Sequence, residues 1–126
     1  HQIHVEWNPD TYPAVRGNRI ELKQILFNLL HNACQAMPNG GILSIHVNQN
    51  ADQEIECRIC DSGSGIDSIH RDRIFDPFYT TREPGEGTGL GLSIALSIAQ
   101  RHGGDITLVP SEGGTSFLLK LEPSNI

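Results

Sequence analysis

The sequence predicts an α/β fold, a two-layer α/β sandwich in which a mixed sheet packs against helices. Several short segments alternate apolar and polar residues, as strands with one buried face do. Two longer segments carry apolar residues at helical spacing, and these interleave with the strands. We expect about five strands, mostly antiparallel, and about three helices. The chain has 126 residues, the size of one domain, so one hydrophobic core is expected over residues 1–126.

The N-terminal third begins with a strand and a helix. Alternation over residues 3–7 predicts the first strand, which Pro9 closes. Asn18 is a suitable N-cap, and Glu21 follows at capping-box spacing. The helix that they predict runs from Arg19 to Met37. Its apolar stripe consists of Leu22, Ile25, Leu26, Leu29, Leu30, Ala33 and Met37.

The remaining elements are a hairpin, a short helical piece, a second long helix and two final strands. Alternation around residues 43–47 and 55–59, with a polar turn between them, predicts the hairpin. The short helical piece holds Ile69 and Ile74. The second helix spans Leu90 to Arg101. Two closing strands, around 106–109 and 115–121, are joined by a Gly-Gly turn.

Composition and charge exclude several classes of protein. No apolar run approaches the roughly 20 residues that a membrane span needs. Nine Lys and Arg residues against 15 Asp and Glu give a net charge of −6, which argues against a nucleic-acid binder. The only methionine is Met37, so we expect a domain cut from a longer protein.

The three cysteines do not form a metal or disulfide pattern. Cys57 and Cys60 have C-x-x-C spacing, but they lie on a predicted strand, where residues three apart point to opposite faces. Cys34 lies in the first helix and behaves as a small apolar residue. Structural, unpaired thiols indicate a cytoplasmic location.

The first long helix has an unusual polar side, formed by Gln24, Asn28, His31, Asn32 and Gln35. A solvated helix face normally carries Lys and Glu, because interior asparagines cost about 0.5 kcal/mol each relative to alanine. Amide oxygens suit a hard cation, and amide donors suit phosphate oxygens. Taken alone, a merely polar face explains the stripe equally well.

Asp61 ends the row of inward residues on the predicted strand 55–59. A buried carboxylate needs a donor, and Gly63 and Gly65 beside it let a flat group approach the backbone. The exocyclic amine of a purine fits this arrangement. A loop-capping aspartate is the alternative.

The run from Gly85 to Gly91 opens directly into the second helix. Its backbone amides can surround phosphate at a helix N-terminus. It matches neither the G-x-G-x-x-G fingerprint nor a P-loop. One glycine loop is weak evidence, but its order and spacing after the asparagine pair and Asp61 are specific.

These segments resemble the sequence boxes of the catalytic, ATP-binding domain of sensor histidine kinases, within the gyrase and histidine-kinase ATPase superfamily. Asn28–Ala36 looks like the N box and Asp61–Gly65 like the G1 box. Phe75–Phe78 is similar to the F box, and Gly87–Leu92 to the G2 box. Gly114-Thr115 is similar to the final glycine-threonine element. The resemblance covers almost the whole chain and implies the Bergerat-type ATP-binding fold.

The resemblance implies ATP and Mg²⁺ as cofactors and a role for each matching position. Asn32 would bind the metal, with Asn28 supporting it, and residues 76–88 would form the ATP lid. Gln35 stands where many relatives have a basic residue near the phosphates. His31 and Arg82 are therefore the candidates for supplying that positive charge. The implied catalytic residues are Asn28, His31, Asn32 and Arg82. The implied nucleotide-binding residues are Asp61, Gly63, Gly65, Ile66, Phe75, Phe78, Thr80, Thr81, Gly87, Thr88, Gly89, Leu90, Gly91, Leu92 and Thr115.

The residue at position 28 favours kinase over hydrolase chemistry. Hydrolytic relatives carry a glutamate four residues before the metal-binding asparagine, whereas this chain has Asn28 there. Water benefits from a general base, whereas a neutral imidazole acceptor already has its lone pair and needs less help. None of the six histidines stands in the family's acceptor sequence.

The resemblance therefore implies transfer of the γ-phosphate to a histidine on a separate dimerisation domain of the parent protein. A response regulator would receive the phosphate next. The run Phe78–Arg82 is similar to the nitrogen-regulation class of these kinases. We expect the domain to be nearly inactive alone and to contact neither nucleic acid nor membrane. Whether the parent protein is anchored in a membrane stays open. Two alternatives stay open: a nucleotide-gated interaction module and a slow ATPase of the gyrase type.

Overall fold

The computed structural model describes residues 2–9, 14–79, 90–111 and 113–124. These residues form five strands and two helices. In chain order they are β1 (Ile3–Pro9), α1 (Arg19–Gln35), β2 (Gly41–Gln49), β3 (Ile55–Asp61), α2 (Gly91–Arg101), β4 (Asp105–Val109) and β5 (Thr115–Leu121).

The strands form one mixed sheet in the order β1-β2-β3-β5-β4. Strand β1 pairs with β2 in parallel, and all other pairs are antiparallel. The sheet confirms the predicted mixed, mostly antiparallel arrangement. Its register places the last residue of β3, Asp61, opposite the first residue of β5, Thr115.

The hydrophobic core lies between the helices and one face of the sheet. Ile25 and Leu29 of α1 are fully buried, as are Ala95 and Ala99 of α2. Small alanines let α2 lie close to its neighbours. Leu26, part of the predicted stripe, is 38% exposed, because it lies at the margin of the buried face.

The start of α1 is completed by the end of α2. The Asn18 side chain accepts a hydrogen bond from the Glu21 N–H at 3.0 Å, as the capping spacing predicts. Glu21 does not close the box, since its carboxylate pairs with Arg101 at 2.7 Å. The Asn18 N–H donates instead to Nε2 of His102 at 3.1 Å. The two helices are therefore joined where α1 begins and α2 ends.

Residues 68–78 form a run of turns where the sequence predicts a short helical piece. Ile74 is buried, but Ile69 is 76% exposed. Only Ile74 and Phe75 contact the core, so most of the segment has no face to bury, and short helices are marginal without tertiary packing.

The cysteines follow the interpretation from sequence. Cys57 is buried, Cys60 lies on the opposite face of β3, and Cys34 is exposed; all three are free thiols. Burial raises the pKa of the Cys57 thiol to about 11. Within the described ranges, no cluster of His, Cys, Asp and Glu side chains is suited to a metal ion. Neither helix found there is long and apolar enough to cross a membrane.

Candidate functional site

Asp61 is a buried carboxylate at the end of β3. Only 6% of it is exposed. Its Oδ1 accepts the Gly63 N–H at 2.9 Å and the Thr115 N–H at 3.2 Å. Burial raises the pKa of this carboxyl, and the two backbone donors oppose that shift. Because both donors converge on Oδ1, the carboxylate has one orientation, and none of the described residues donates to Oδ2.

Thr115 is as buried as Asp61 and lies directly across from it, with 5% of its surface exposed. The register of β3 and β5 produces this pairing, so backbone pairing positions both side chains. Phe117 follows on the same face of β5 and is also buried. The sheet thus presents one polar pair at the end of an otherwise apolar row.

Two glycines permit the close packing around Asp61. Gly114 has φ +65°, and a Cβ there would overlap the carbonyl oxygen of Asp61. Gly63 lies against the Ala36 carbonyl at the end of α1, and a Cβ would overlap that oxygen. The loop after β3 therefore contacts both β5 and α1 through backbone atoms. This contact also brings the end of the N-box-like helix segment next to Asp61.

Asn28 joins the middle of α1 to the beginning of α2. Its Nδ2 donates to the carbonyl oxygen of Gly91 at 3.0 Å. Its Oδ1 accepts a hydrogen bond from Gln24 at 2.7 Å. Gln24 was not among the predicted site residues, although its i, i+4 spacing to Asn28 on the polar stripe is the signal for this contact. Both ends of the Asn28 amide are therefore engaged within the protein.

Asn32 and His31 have different surroundings. Asn32 is half-buried on the same side of α1 as Asn28, and no described residue hydrogen-bonds its side chain. Its amide is available to a ligand. His31 is exposed and stacks on Phe27, with ring centroids 5.6 Å apart and planes 11° apart. The structure holds the His31 ring against Phe27, on the solvent side of α1.

The side chain of the N-cap residue of α2 makes no capping hydrogen bond. Leu90 precedes the helix and makes no capping hydrogen bond, and Gly91 is exposed. The leading N–H groups of a helix lack partners within it. Leu92 is half-buried and packs against the core. The predicted site residues Thr80, Thr81, Arg82, Gly87, Thr88 and Gly89 lie outside the described residues.

The residues predicted to bind nucleotide after β3 differ in how they are held. Ile66 is half-buried against the core, and Gly65 lies beside the Gly114 backbone. Phe75 packs edge-on against Phe117 with centroids 6.0 Å apart. Phe78 is 74% exposed and has φ +68°. The structure therefore brings Phe75 to the core and leaves Phe78 at the surface.

A shallow depression, open to solvent, lies beside this region. Ile66, Arg71, Gly114, Thr115 and Ser116 contribute to its lining. It shares Thr115 with the Asp61 pair, so it extends the same site. Among the described residues, the site offers a fixed acceptor at the sheet, an amide on α1 without a partner and the N-terminus of α2.

The sequence matches one protein-family model over residues 17–125. That family is described as histidine kinase-, DNA gyrase B-, and HSP90-like ATPases. The match covers most of the chain and includes all of the sites described above.

Individual relatives support the same conclusion. The chain is 39% identical over 118 residues to the sensor histidine kinase ZraS of Escherichia coli strain K12. That alignment spans 93% of this chain but 24% of ZraS. The chain thus corresponds to about a quarter of that relative's length.

Solved structures share the fold. A mycobacterial sensor histidine kinase, MprB, superposes with a TM-score of 0.84 at 28% identity, covering 97% of this chain and 86% of that one. Full-length ShkA in complex with AMPPNP superposes with a TM-score of 0.81 at 25% identity, covering 97% of this chain and 26% of that one.

Proposed function

Because the chain belongs to the family of histidine kinase-, DNA gyrase B- and HSP90-like ATPases, we propose that it is the ATP-binding half of a sensor histidine kinase. It binds Mg-ATP and donates the γ-phosphate to a histidine on a dimerisation domain elsewhere in the parent protein. A response-regulator aspartate then receives the phosphate. Residues 1–126 form one domain of that parent.

The observation that carries this proposal is the fixed orientation of the Asp61 carboxylate. Two backbone donors hold Oδ1, so Oδ2 is the oxygen that accepts from the exocyclic amine of adenine. None of the described residues donates to Oδ2, so a ligand donor would complete the hydrogen bonding of this carboxylate. Thr115 pairs with Asp61 across the sheet, and Ile66 lines a depression together with Thr115, so both would contact the base. The solved complex of ShkA with AMPPNP is consistent with a nucleotide site in this fold.

Asn32 fits the requirements of a Mg²⁺ ligand. Its side-chain amide is half-buried, points from the polar side of α1 and has no partner among the described residues. Mg²⁺ prefers oxygen ligands and commonly takes one or two from the protein, with phosphates and water supplying the rest. The metal, when bound, neutralises charge on the phosphates. Asn32 would hold and orient it, and the leading N–H groups of α2 would contact phosphate oxygens.

The environment of Asn28 favours phosphoryl transfer to histidine over hydrolysis. Its amide is neutral, and both of its ends are engaged by Gln24 and Gly91. It therefore orients the start of α2 and has no lone pair suited to deprotonating water. Glu21, the carboxylate on α1, lies in the first turn of that helix and pairs with Arg101 in the last turn of α2. Phosphoryl transfer then depends on positioning and charge neutralisation.

The decisive experiment supplies the missing acceptor. The chain is mixed with the dimerisation domain of its parent and with Mg-ATP labelled at the γ-phosphate. We expect acid-labile label on the dimerisation domain, and little phosphate release by the chain alone. Steady phosphate release without transfer would favour the ATPase alternative. Nucleotide-dependent docking without label would favour an interaction module.

A further inference from the structure

The segment between β3 and residue 79 is held by local turns and a few side chains. Hydrogen bonds from each N–H to the carbonyl three residues earlier occur at His70, Arg73, Asp76 and Tyr79. Such turns fix only their own four residues. The path of the whole run therefore depends on contacts that cross it.

Tyr79 makes those contacts. Its hydroxyl is hydrogen-bonded to Nδ1 of His70, nine residues earlier, and the two rings are 5.7 Å apart. The Arg73 guanidinium lies over the Tyr79 ring, 4.7 Å from its centroid. Asp76 in turn pairs with Arg73 at 3.5 Å, although both groups are well exposed. The His70–Tyr79 bond thus closes the run of turns on itself.

The two phenylalanines of the segment, Phe75 and Phe78, lie between His70 and Tyr79 in the chain. Phe75 is anchored on Phe117, inside the closed run. Phe78 has a positive φ, which is unfavourable for a bulky side chain. Such a conformation persists where the neighbouring chain is fixed on both sides. Phe75 provides the fixed point before Phe78, and Tyr79 provides the one after it.

We propose that His70 and Tyr79 are positioning residues, which hold Phe75 and Phe78 in the arrangement in which this domain binds its nucleotide. This role rests on the proposed ATP-binding function. Neither residue touches the nucleotide itself; each acts through the phenylalanines. The hydrogen bond carries the effect, and the stacking of Arg73 on the ring supports it.

The test is a double-mutant cycle on the 126-residue chain, measured as the affinity for Mg-ADP by calorimetry. His70→Ala and Tyr79→Phe should each weaken binding about three- to tenfold, the value of one hydrogen bond. The double variant should bind no more weakly than the weaker single variant, because both remove the same contact. Ile69→Ala, in the same run and exposed, is the matched control and should bind as the wild type does.

Rescue distinguishes the hydrogen bond from side-chain bulk. His70→Asn places an amide where Nδ1 lies and should restore affinity, whereas His70→Gln places its amide at the position of Nε2 and should not. Equal behaviour of these two variants, additive effects in the double variant, or single variants that bind normally would overturn the positioning role. If the unsubstituted chain binds no Mg-ADP, the proposed function fails, and this role fails with it.

Discussion

The two ends of the candidate site are built by different means. The sheet end consists of Asp61 and Thr115, and backbone pairing of β3 with β5 places both side chains. The helix end consists of Asn28 and Asn32 on α1, and there a side-chain hydrogen bond from Asn28 to Gly91 links α1 to α2. The sheet end is buried, and the helix end is half-exposed. Substitutions at the sheet end should therefore disturb fold and ligand together, while those at the helix end should act mainly on the ligand.

The largest effect is expected from Gly114→Ala. A Cβ there overlaps the Asp61 carbonyl, so the strand end must move, and we expect a loss of unfolding free energy of about 3 kcal/mol or more. Gly113→Ala is the matched control, since Gly113 has a similar φ of +69° but open space around it. It should cost about 1 to 2 kcal/mol. Equal losses in chemical denaturation would show that conformation alone, and not the close approach, makes Gly114 necessary.

Asp61→Asn should separate binding from stability at the sheet end. The amide oxygen can still accept from Gly63 and Thr115, but its NH₂ then faces the adenine amine. We expect the affinity for Mg-ADP and for adenosine to fall by about 10- to 100-fold, the value of a charged hydrogen bond. The unfolding free energy should stay equal or rise, because a buried charge is removed.

Calorimetry and denaturation on the same samples give both values for Asp61→Asn. Asp67→Asn, an exposed carboxylate in the following loop, serves as the control. Unchanged nucleotide affinity in Asp61→Asn would contradict the adenine assignment.

Asn32→Ala tests the helix end. Loss of one oxygen ligand weakens Mg²⁺ bridging but leaves the base position intact, so affinity for Mg-ATP should fall by about tenfold while affinity for adenosine changes little. The helix should remain, since alanine is the best helix former. Equal losses for both ligands would mean that α1 had been distorted, and the contrast between the two ends would then be lost.

The smallest effect is a pH dependence that belongs to the sheet end alone. Burial raises the pKa of Asp61 above its ordinary value of 3.8. Below that value the carboxyl is protonated in folded and unfolded chains. Above it the unfolded chain releases its proton first, so the unfolding free energy of the wild type falls until the folded carboxyl also ionises.

The stability advantage of Asp61→Asn over the wild type should therefore grow as pH rises through this window, and then level off. Denaturation curves of both proteins across the acid range measure it. An advantage that does not change with pH would show that Asp61 has the same affinity for protons in the folded and unfolded chains.

The sheet end could be predicted from the sequence to a large extent. Strand alternation put Asp61 on the inward face with Ile59, and the structure buries both side chains. The alternation does not predict the register between β3 and β5. No local signal indicates that Asp61 and Thr115, 54 residues apart in the chain, face each other. Long-range pairing is set by the whole sheet.

The turns after β3 were harder to predict. Ile69 and Ile74 have helical spacing, but only Ile74 is buried, so tertiary packing did not support the expected helix. The His70–Tyr79 contact has no periodic signal at all, because a spacing of nine residues across turns matches neither helix nor strand. The assigned roles of the individual site residues stay predictions until the variants above are measured.

The hydrogen bond from the Asn18 N–H to His102 joins residues 84 positions apart, so it cannot form early in translation. At a synthesis rate of about 5 to 20 residues per second, the start of α1 waits roughly 4 to 17 seconds for its partner to emerge. β5, the final strand, enters the sheet between β3 and β4. Thr115 reaches Asp61 only at that step, so a ribosome-bound chain cannot form the Asp61–Thr115 pair until β5 has been translated.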